Sequence, residues 1–341
     1  MFNDTKYKSL CQDPPQLAKA LSDKGRNGRE RPWRAYKMAN EYLAMAYDSI
    51  NQSKAERLRA CGRTLTFARD QSGAQKLVCA DSCRVRLCPL CAWRRSLKNY
   101  WTTTKIVRWL ESHQEDKNVG RFAYLFVTLT VRNCSGADLS SQIDGLFAAV
   151  KRLYQRKEIK VSWKGMVRNM EITHNVNYES KDFDTFHPHF HCIVAVRPSY
   201  FSHGYITHDR LVELWRECLG VDYDPVVDIR RIRGRFGDQT TAGALAECSK
   251  YAAKAADYIL LDDWDLTCDT VKLLDSALDG RRLINYSGVF REVKALLKLD
   301  DCEDGDLVNV GSDDDVALGS DAELVTYMWY SGYRQYYKVA Y

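Results

Sequence analysis

A chain of 341 residues, 45% apolar and 28% charged, suits one large or two modest globular domains with a real core. No run of about 18 apolar residues occurs, which argues against a helical membrane span. The opening Met1-Phe2-Asn3-Asp4-Thr5-Lys6 lacks the pattern of a secretory leader, so a cytoplasmic location is expected, where twelve cysteines are thiols or metal ligands rather than disulfides.

In chain order, residues 1–35 are polar and read as a flexible arm or loop. From about 35 to 60, Met38, Tyr42, Met45 and Ile50 recur at helical spacing. Residues 1–53 are therefore expected as an arm followed by a helix. Residues 54–115 read as a cysteine-rich, basic, DNA-binding module. From Lys54 to Arg108 there are 13 Lys/Arg against 3 Asp/Glu, which suits a polyanion or, equally, a solvated surface. Cys88-Pro89-Leu90-Cys91 has the two-residue gap of a zinc knuckle, Cys83 offers a third thiolate, and Cys61 or Cys79 the fourth. Buried free thiols are the alternative. Trp93-Arg94-Arg95-Ser96-Leu97-Lys98 opens a helix through Leu110, whose basic side suits phosphate contacts or plain solvation.

After a linker at 113–120, Phe122–Val131 is the strongest predicted strand. Asp138 to about Lys157 reads as an amphipathic helix. Met166–His174 is a second strand. A polar loop, Asn175–Phe186, leads into His187-Pro188-His189-Phe190-His191 and the apolar Cys192–Val196. Strand, helix, strand, loop, strand is an α+β pattern with hairpin-paired strands. Thr207 caps a helix to Leu219. Val226–Arg231 is a further strand, with Arg233 and Arg235 extending its basic end. A long helix is expected over 240–260. Residues 263–341 form a C-terminal region whose stretch Asp300–Glu323 holds 10 Asp/Glu and no Lys/Arg. There is no internal repeat and no Walker-type phosphate loop.

Side chains two apart on a strand share a face. His189 and His191 therefore make half of a metal site, or simply a polar strand face. On the expected helix, Glu247, Tyr251 and Lys254 share a face. A tyrosine can attack a phosphodiester once its phenol is deprotonated and the phosphate charge is neutralised. Lys254 or Lys250 suits that task, and Glu247 suits a general base. Taken alone, Tyr251 reads far more readily as a half-buried helix tyrosine with a lysine stacked nearby.

Together these blocks resemble the plasmid rolling-circle replication initiators of the HUH endonuclease superfamily. Phe126-Val-Thr-Leu-Thr130 resembles the first motif, His187–His191 the metal motif, and Glu247-Cys-Ser-Lys250-Tyr251-Ala-Ala-Lys254 the nucleophile motif. Cys83–Lys98 with Cys61-Gly62 is similar to the family's cysteine region, which favours Cys61 over Cys79. Asp279–Ile284 and Asp301–Leu307 are similar to its C-terminal part. The likeness spans roughly residues 54–307.

The resemblance implies a five-stranded antiparallel sheet backed by helices over residues 120–262, with the histidines on the central strand and Tyr251 on a helix crossing below. It implies nicking at the plasmid double-strand origin, a 5′-phosphotyrosine link, a 3′-OH that primes a host polymerase, a host helicase as partner, and release through Glu247; the oligomeric state, a homodimer among the options, is left open by the sequence. Mg2+ or Mn2+ would be held by His189, His191 and an oxygen ligand, for which Glu171 is the candidate unless it is a surface strand residue. His187 would support the site, and Zn2+ would be structural. Copy-number control is one role open to the acidic segment. A conjugative relaxase places its tyrosine before the histidines, and a single-tyrosine transposase lacks the cysteine region. A non-catalytic zinc-dependent regulator explains the cysteines but leaves the histidine and tyrosine blocks idle.

Overall fold

The computed structural model describes residues 19–23, 31–73, 75–233, 239–250, 252–311 and 321–339. Most of the expected N-terminal arm, Arg235 and Tyr251 lie outside the described residues. In chain order the elements are α1 (Trp33–Tyr47), α2 (Gln52–Ala60), β1 (Thr64–Arg69), β2 (Gln75–Ala80), α3 (Pro89–Ser112), β3 (Ala123–Leu129), α4 (Leu139–Gln155), α5 (Lys157–Ser162), β4 (Trp163–Asn175) and β5 (Thr185–Val196). There follow α6 (His208–Leu219), β6 (Val227–Ile232), α7 (Gln239–Glu247), α8 (Trp264–Leu278), β7 (Ile284–Gly288), α9 (Val289–Leu296), β8 (Glu323–Tyr330) and β9 (Gln335–Lys338). The chain divides into two units, residues 1–94, 261–271 and 306–341, and residues 95–260 and 272–305. This differs from the four successive segments expected at 1–53, 54–115, 120–262 and 263–341, because the C-terminal region contributes to both units.

In the first unit, the expected helix over 35–60 is two helices. Asn51 sits in extended backbone and its side chain accepts the Lys54 N–H at 3.0 Å, capping α2. Gly62, at φ +61°, turns the chain from α2 into β1; a Cβ there would lie 2.7 Å from Leu90 Cδ1. β1 then pairs with β2 on one side and β8 on the other, in the sheet order β2-β1-β8-β9. The tyrosine-rich tail is thus part of the cysteine module. Buried Tyr336 donates its hydroxyl to the Gly62 carbonyl at 2.6 Å, beside Cys61.

The second unit holds the expected α+β architecture, a five-stranded antiparallel sheet in the order β6-β3-β5-β4-β7. The histidine strand β5 is central. On one face Phe126, Val167, Ile193 and Ala195 pack with Ile106, Val107 and Leu110 of α3 and Phe290 of α9. On the other, Phe147 of α4 lies 5.5 Å from Phe190. Each fully buried large apolar side chain contributes about 1.5–3 kcal/mol. This packing makes the sheet a rigid base for whatever its polar positions carry. α6 begins as expected, with the Thr207 hydroxyl accepting the Arg210 N–H at 3.2 Å.

Two expectations are corrected. The basic face at the start of α3 is not turned to solvent. In the first unit, Arg94, buried, donates to the carbonyls of Leu307 at 2.8 Å and Val308 at 2.6 Å. In the second, buried Arg95 donates to the Glu303 carbonyl at 3.2 Å, and buried Lys98 pairs with Asp300. The described acidic residues here satisfy the chain's own cations, while Glu303 Oε1 accepts the N–H groups of Leu283 and Ile284, each at 2.6 Å. These three cations are therefore committed to the fold rather than to phosphate.

The helix expected over 240–260 ends at Glu247. β7 pairs with β4 only over Gly165–Asn169, so the outer edge of β4 beyond it presents backbone groups that need partners. The segment after α7 partners one of them and two β4 side chains as well. The Ile172 N–H donates to the Ala252 carbonyl at 2.6 Å, Asn169 Nδ2 donates to the Lys250 carbonyl at 2.6 Å, and His174 Nδ1 lies 3.0 Å from the Asp257 carbonyl. Cys248, buried beneath the sheet, bonds through Sγ to the His191 carbonyl at 3.3 Å. These contacts outweigh the helical propensity of the local sequence, and the chain runs along the edge of β4 instead.

Candidate active site

The strand register places Glu171 of β4 directly opposite His189 of β5, and Asn169 opposite His191. Period-two alternation puts Glu171, His189 and His191 on one face of the sheet. All three are buried. Glu171 Oε2 lies 3.0 Å from His191 Nε2 and 3.6 Å from His189 Nε2, and the two ring nitrogens are 3.2 Å apart. For a cation bound at about 2.1 Å in octahedral geometry, adjacent ligands stand about 3.0 Å apart. The donor set, two imidazoles and a carboxylate, fits a divalent metal ion.

The ring orientations support this fit. His189 Nδ1 faces the His187 carbonyl at 3.0 Å. A carbonyl only accepts, so Nδ1 carries the proton and the Nε2 lone pair of the neutral ring is left for a ligand role. His191 Nδ1 faces the Thr128 hydroxyl at 3.3 Å, and its ring stacks on Phe126 with centroids 5.6 Å apart. Thr128 belongs to the Phe126–Thr130 block, but only the β3–β5 register, Thr128 opposite His191, reveals its task.

Electrostatics single out Glu171. Burial would raise its carboxyl pKa, but the His189 and His191 rings beside Oε2 and the nearby Lys254 ammonium overcome this and hold it well below the usual carboxylate range. Lys254 Nζ lies 3.2 Å from Glu171 Oε1. Burial disfavours its charge, but Glu171 reverses that and raises its pKa. Glu247 Oε1 lies 3.7 Å from His191 Nε2 and pairs with Lys250. Thus Glu247 and Lys254 border the triad, with Lys250 paired to Glu247, from a helix end and a following turn rather than from one helical face. His187 stands apart from the donor set. Its ring stacks on His189 at 5.0 Å and bonds to the Val131 backbone, and burial lowers its pKa.

In the first unit, Cys61, Cys83, Cys88 and Cys91 converge and are all buried. The sulfur separations are 3.6 Å for Cys61–Cys88, 3.6 Å for Cys61–Cys91 and 3.8 Å for Cys83–Cys91. These are far beyond a disulfide bond of about 2.0 Å. They match the edge, about 3.8 Å, of a tetrahedron with 2.3 Å Zn–S bonds. The Cys83 N–H donates to Cys61 Sγ at 3.4 Å, and buried Lys37 donates to the Cys61 carbonyl at 2.8 Å. Cys79, the other candidate for fourth ligand, is exposed on β2.

Residues 74–337 match the protein family described as Replication protein. The chain is 36% identical over 341 residues to a Protein rep of Bacillus amyloliquefaciens, an alignment covering 93% of this chain and 96% of that one. It is 39% identical over 274 residues to a Protein rep of a Bacillus species, covering 75% and 85%. It is 35% identical over 302 residues to a Protein rep of Streptococcus pneumoniae serotype 2, strain D39, covering 87% and 89%. No solved structure matches the chain. No helix among the described residues is long and apolar enough to cross a membrane.

Proposed function

This chain belongs to the family of plasmid rolling-circle replication initiators, and on that premise we propose that the Glu171/His189/His191 face of its sheet is a metal-dependent, strand-specific DNA nicking site. The observation that carries this reading is the buried donor set with the His189 Nδ1 proton committed to a backbone carbonyl. Glu171, His189 and His191 hold Mg2+ or Mn2+, which when bound polarises the scissile phosphate and offsets its charge. Tyr251 is the nucleophile. Its phenolate oxygen bonds to phosphorus, the P–O3′ bond breaks, and the departing 3′ oxygen takes a proton. The products are a 5′-phosphotyrosine link and a 3′-OH that primes a host polymerase, with a host helicase opening the duplex ahead.

Lys254 offsets the Glu171 charge on the side facing away from the histidines, and Lys250 does the same for Glu247. Both keep positive charge beside the phosphate as it gains negative character. At the end of the round, Glu247 removes a proton from water, the water oxygen bonds to the phosphotyrosine phosphorus, the P–O bond to Tyr251 breaks, and the departing phenolate takes the proton as the DNA is released with a 5′-phosphate. Cys61, Cys83, Cys88 and Cys91 hold a structural Zn2+ in a module that takes part in binding the double-strand origin. A non-catalytic regulator has no use for a buried, oriented N,N,O donor set.

The test is incubation with supercoiled plasmid carrying the origin and Mn2+. Wild-type protein is expected to give open circles with a protein-blocked 5′ end, and Tyr251→Phe neither circles nor adduct. Nicking by Tyr251→Phe at the wild-type rate would refute the assignment. Glu247→Gln is expected to nick normally but to slow release by roughly 10²-fold or more, the usual worth of a general base. Release at the wild-type rate removes Glu247 from the termination step.

A further inference from the structure

The β4–β5 hairpin that carries Glu171, His189 and His191 ends in a tip, residues 175–184, which the nicking chemistry does not use. The tip is tightly built. Asn175 Oδ1 accepts the Asn177 N–H at 3.1 Å and its Nδ2 donates to Ser180 Oγ at 2.9 Å. The Asp184 N–H donates to the Asn175 carbonyl at 2.8 Å. His174, buried, contacts Asp184 at 2.8 Å and stacks on Phe186 at 4.3 Å. On this frame Tyr178 stacks against Phe183, with centroids 4.6 Å apart and planes 28° from parallel, yet Tyr178 remains 62% exposed. A large aromatic held that open by a rigid turn contributes little burial energy to the fold.

A second planar pair stands beside the same end of β5. Residue 134 bridges Phe186, and Asn133 Nδ2 donates to Thr185 Oγ1 at 2.9 Å. The neighbouring Arg132, exposed, lies 3.8 Å over the Tyr223 ring. Phe183 is four residues from His187, a span of at most about 14 Å. The rim at the His187 end of the metal face thus offers an aromatic stack and a cation beside another ring.

We propose that this rim binds the single-stranded DNA flanking the nick, with Tyr178 on Phe183 taking an unstacked base and Arg132 beside Tyr223 holding an adjacent phosphate. A strand opened for attack must have its bases unstacked, and every base offers a π-face to an aromatic platform. Arginine adds charge that follows the backbone without reading sequence. A duplex keeps its bases inside and cannot use Tyr178 in this way. The proposal rests on the reading of this face as the nicking site, and its test reads binding rather than cleavage.

The test uses full-length Tyr251→Phe protein and an oligonucleotide of the nick-site strand with 2-aminopurine placed at successive positions. At one position, fluorescence is expected to fall on binding. Adding Tyr178→Ala is expected to abolish that quenching and weaken single-strand binding about tenfold, within the range one base–aromatic stack provides, while binding to the same sequence as duplex changes little. Tyr178→Trp is expected to restore affinity, with its own emission quenched by the DNA. Wild-type quenching and affinity in Tyr178→Ala, or unquenched emission from Tyr178→Trp in the complex, overturns the proposal. Neither outcome depends on whether Tyr251 is the nucleophile, which the nicking assay decides separately.

Discussion

His191→Ala is expected to reduce nicking of a supercoiled origin plasmid by about 10³-fold or more, because on the proposed reading it would remove a metal ligand and the Lewis-acid stabilisation worth several kcal/mol that the ion would supply. His191 is the hub of the site. Its Nε2 lies 3.0 Å from Glu171, 3.2 Å from His189 and 3.7 Å from Glu247. Without its imidazole, Glu171 loses a hydrogen-bond partner while keeping its buried charge, so metal binding and local order both suffer. Manganese titration followed by electron paramagnetic resonance should show the affinity falling with the activity. A graded companion is Thr128→Val, which keeps the ligand but removes the hydroxyl facing His191 Nδ1. Loss of an orienting partner of this kind costs roughly 10- to 100-fold in metal affinity. Wild-type manganese affinity in His191→Ala would place the metal elsewhere.

Cys88→Ser is expected to cost the protein one equivalent of zinc and to unfold the first unit at a much lower temperature. Structural zinc contributes about 10–16 kcal/mol of binding energy at neutral pH, and that energy is folding energy. Cys88 is fully buried between Cys61 and the start of α3. Cys61 in turn precedes the Gly62 turn on which Tyr336 of the C-terminal hairpin hangs. Loss of the ion should therefore loosen β8 and β9 along with the cysteine loop, visible as faster amide exchange in both. Cys79→Ser is the control. Its side chain is exposed outside the cluster, so zinc content and melting temperature should stay at wild-type values. Zinc loss in Cys79→Ser with retention in Cys88→Ser would reverse the ligand assignment.

Features set by short-range pattern were legible in the sequence. The β3 run, the α4 amphipathic spacing, the Thr207 cap and the histidine strand need only neighbours a few residues away. Strand parity alone put His189 and His191 together. Glu171 came from the resemblance, and the register then set it opposite His189. What escaped depends on partners far along the chain. β1 carries little signal of its own, and only one of its two partners is near: β2 follows directly, but β8 lies about 260 residues on. The basic stretch at Arg94–Lys98 looked like a solvent or phosphate face because the carbonyls and carboxylate that hold it, at 300–308, are some 200 residues away. A distant partner also ends the helix at Glu247. The Ala- and Lys-rich sequence that follows favours helix, but the open edge of β4 at Ile172 takes the backbone of Ala252 instead. Thr128 and Cys248, which orient and pin the His191 strand position, gave no signal of their own before the register was known.

The central claim is that the helix-end motif beside the Glu171/His189/His191 face delivers a covalent phosphotyrosine. Trapping the wild-type protein with nick-site DNA and Mn2+, digesting both polymers, and sequencing the nucleotide-bearing peptide by mass spectrometry tests it most directly. The expected result is a 5′-phosphonucleotide on Tyr251 and on no other residue, and none when the metal is chelated before DNA is added. A nucleotide on any other tyrosine, or cleaved DNA with a free 5′-phosphate and no linked peptide, would contradict it.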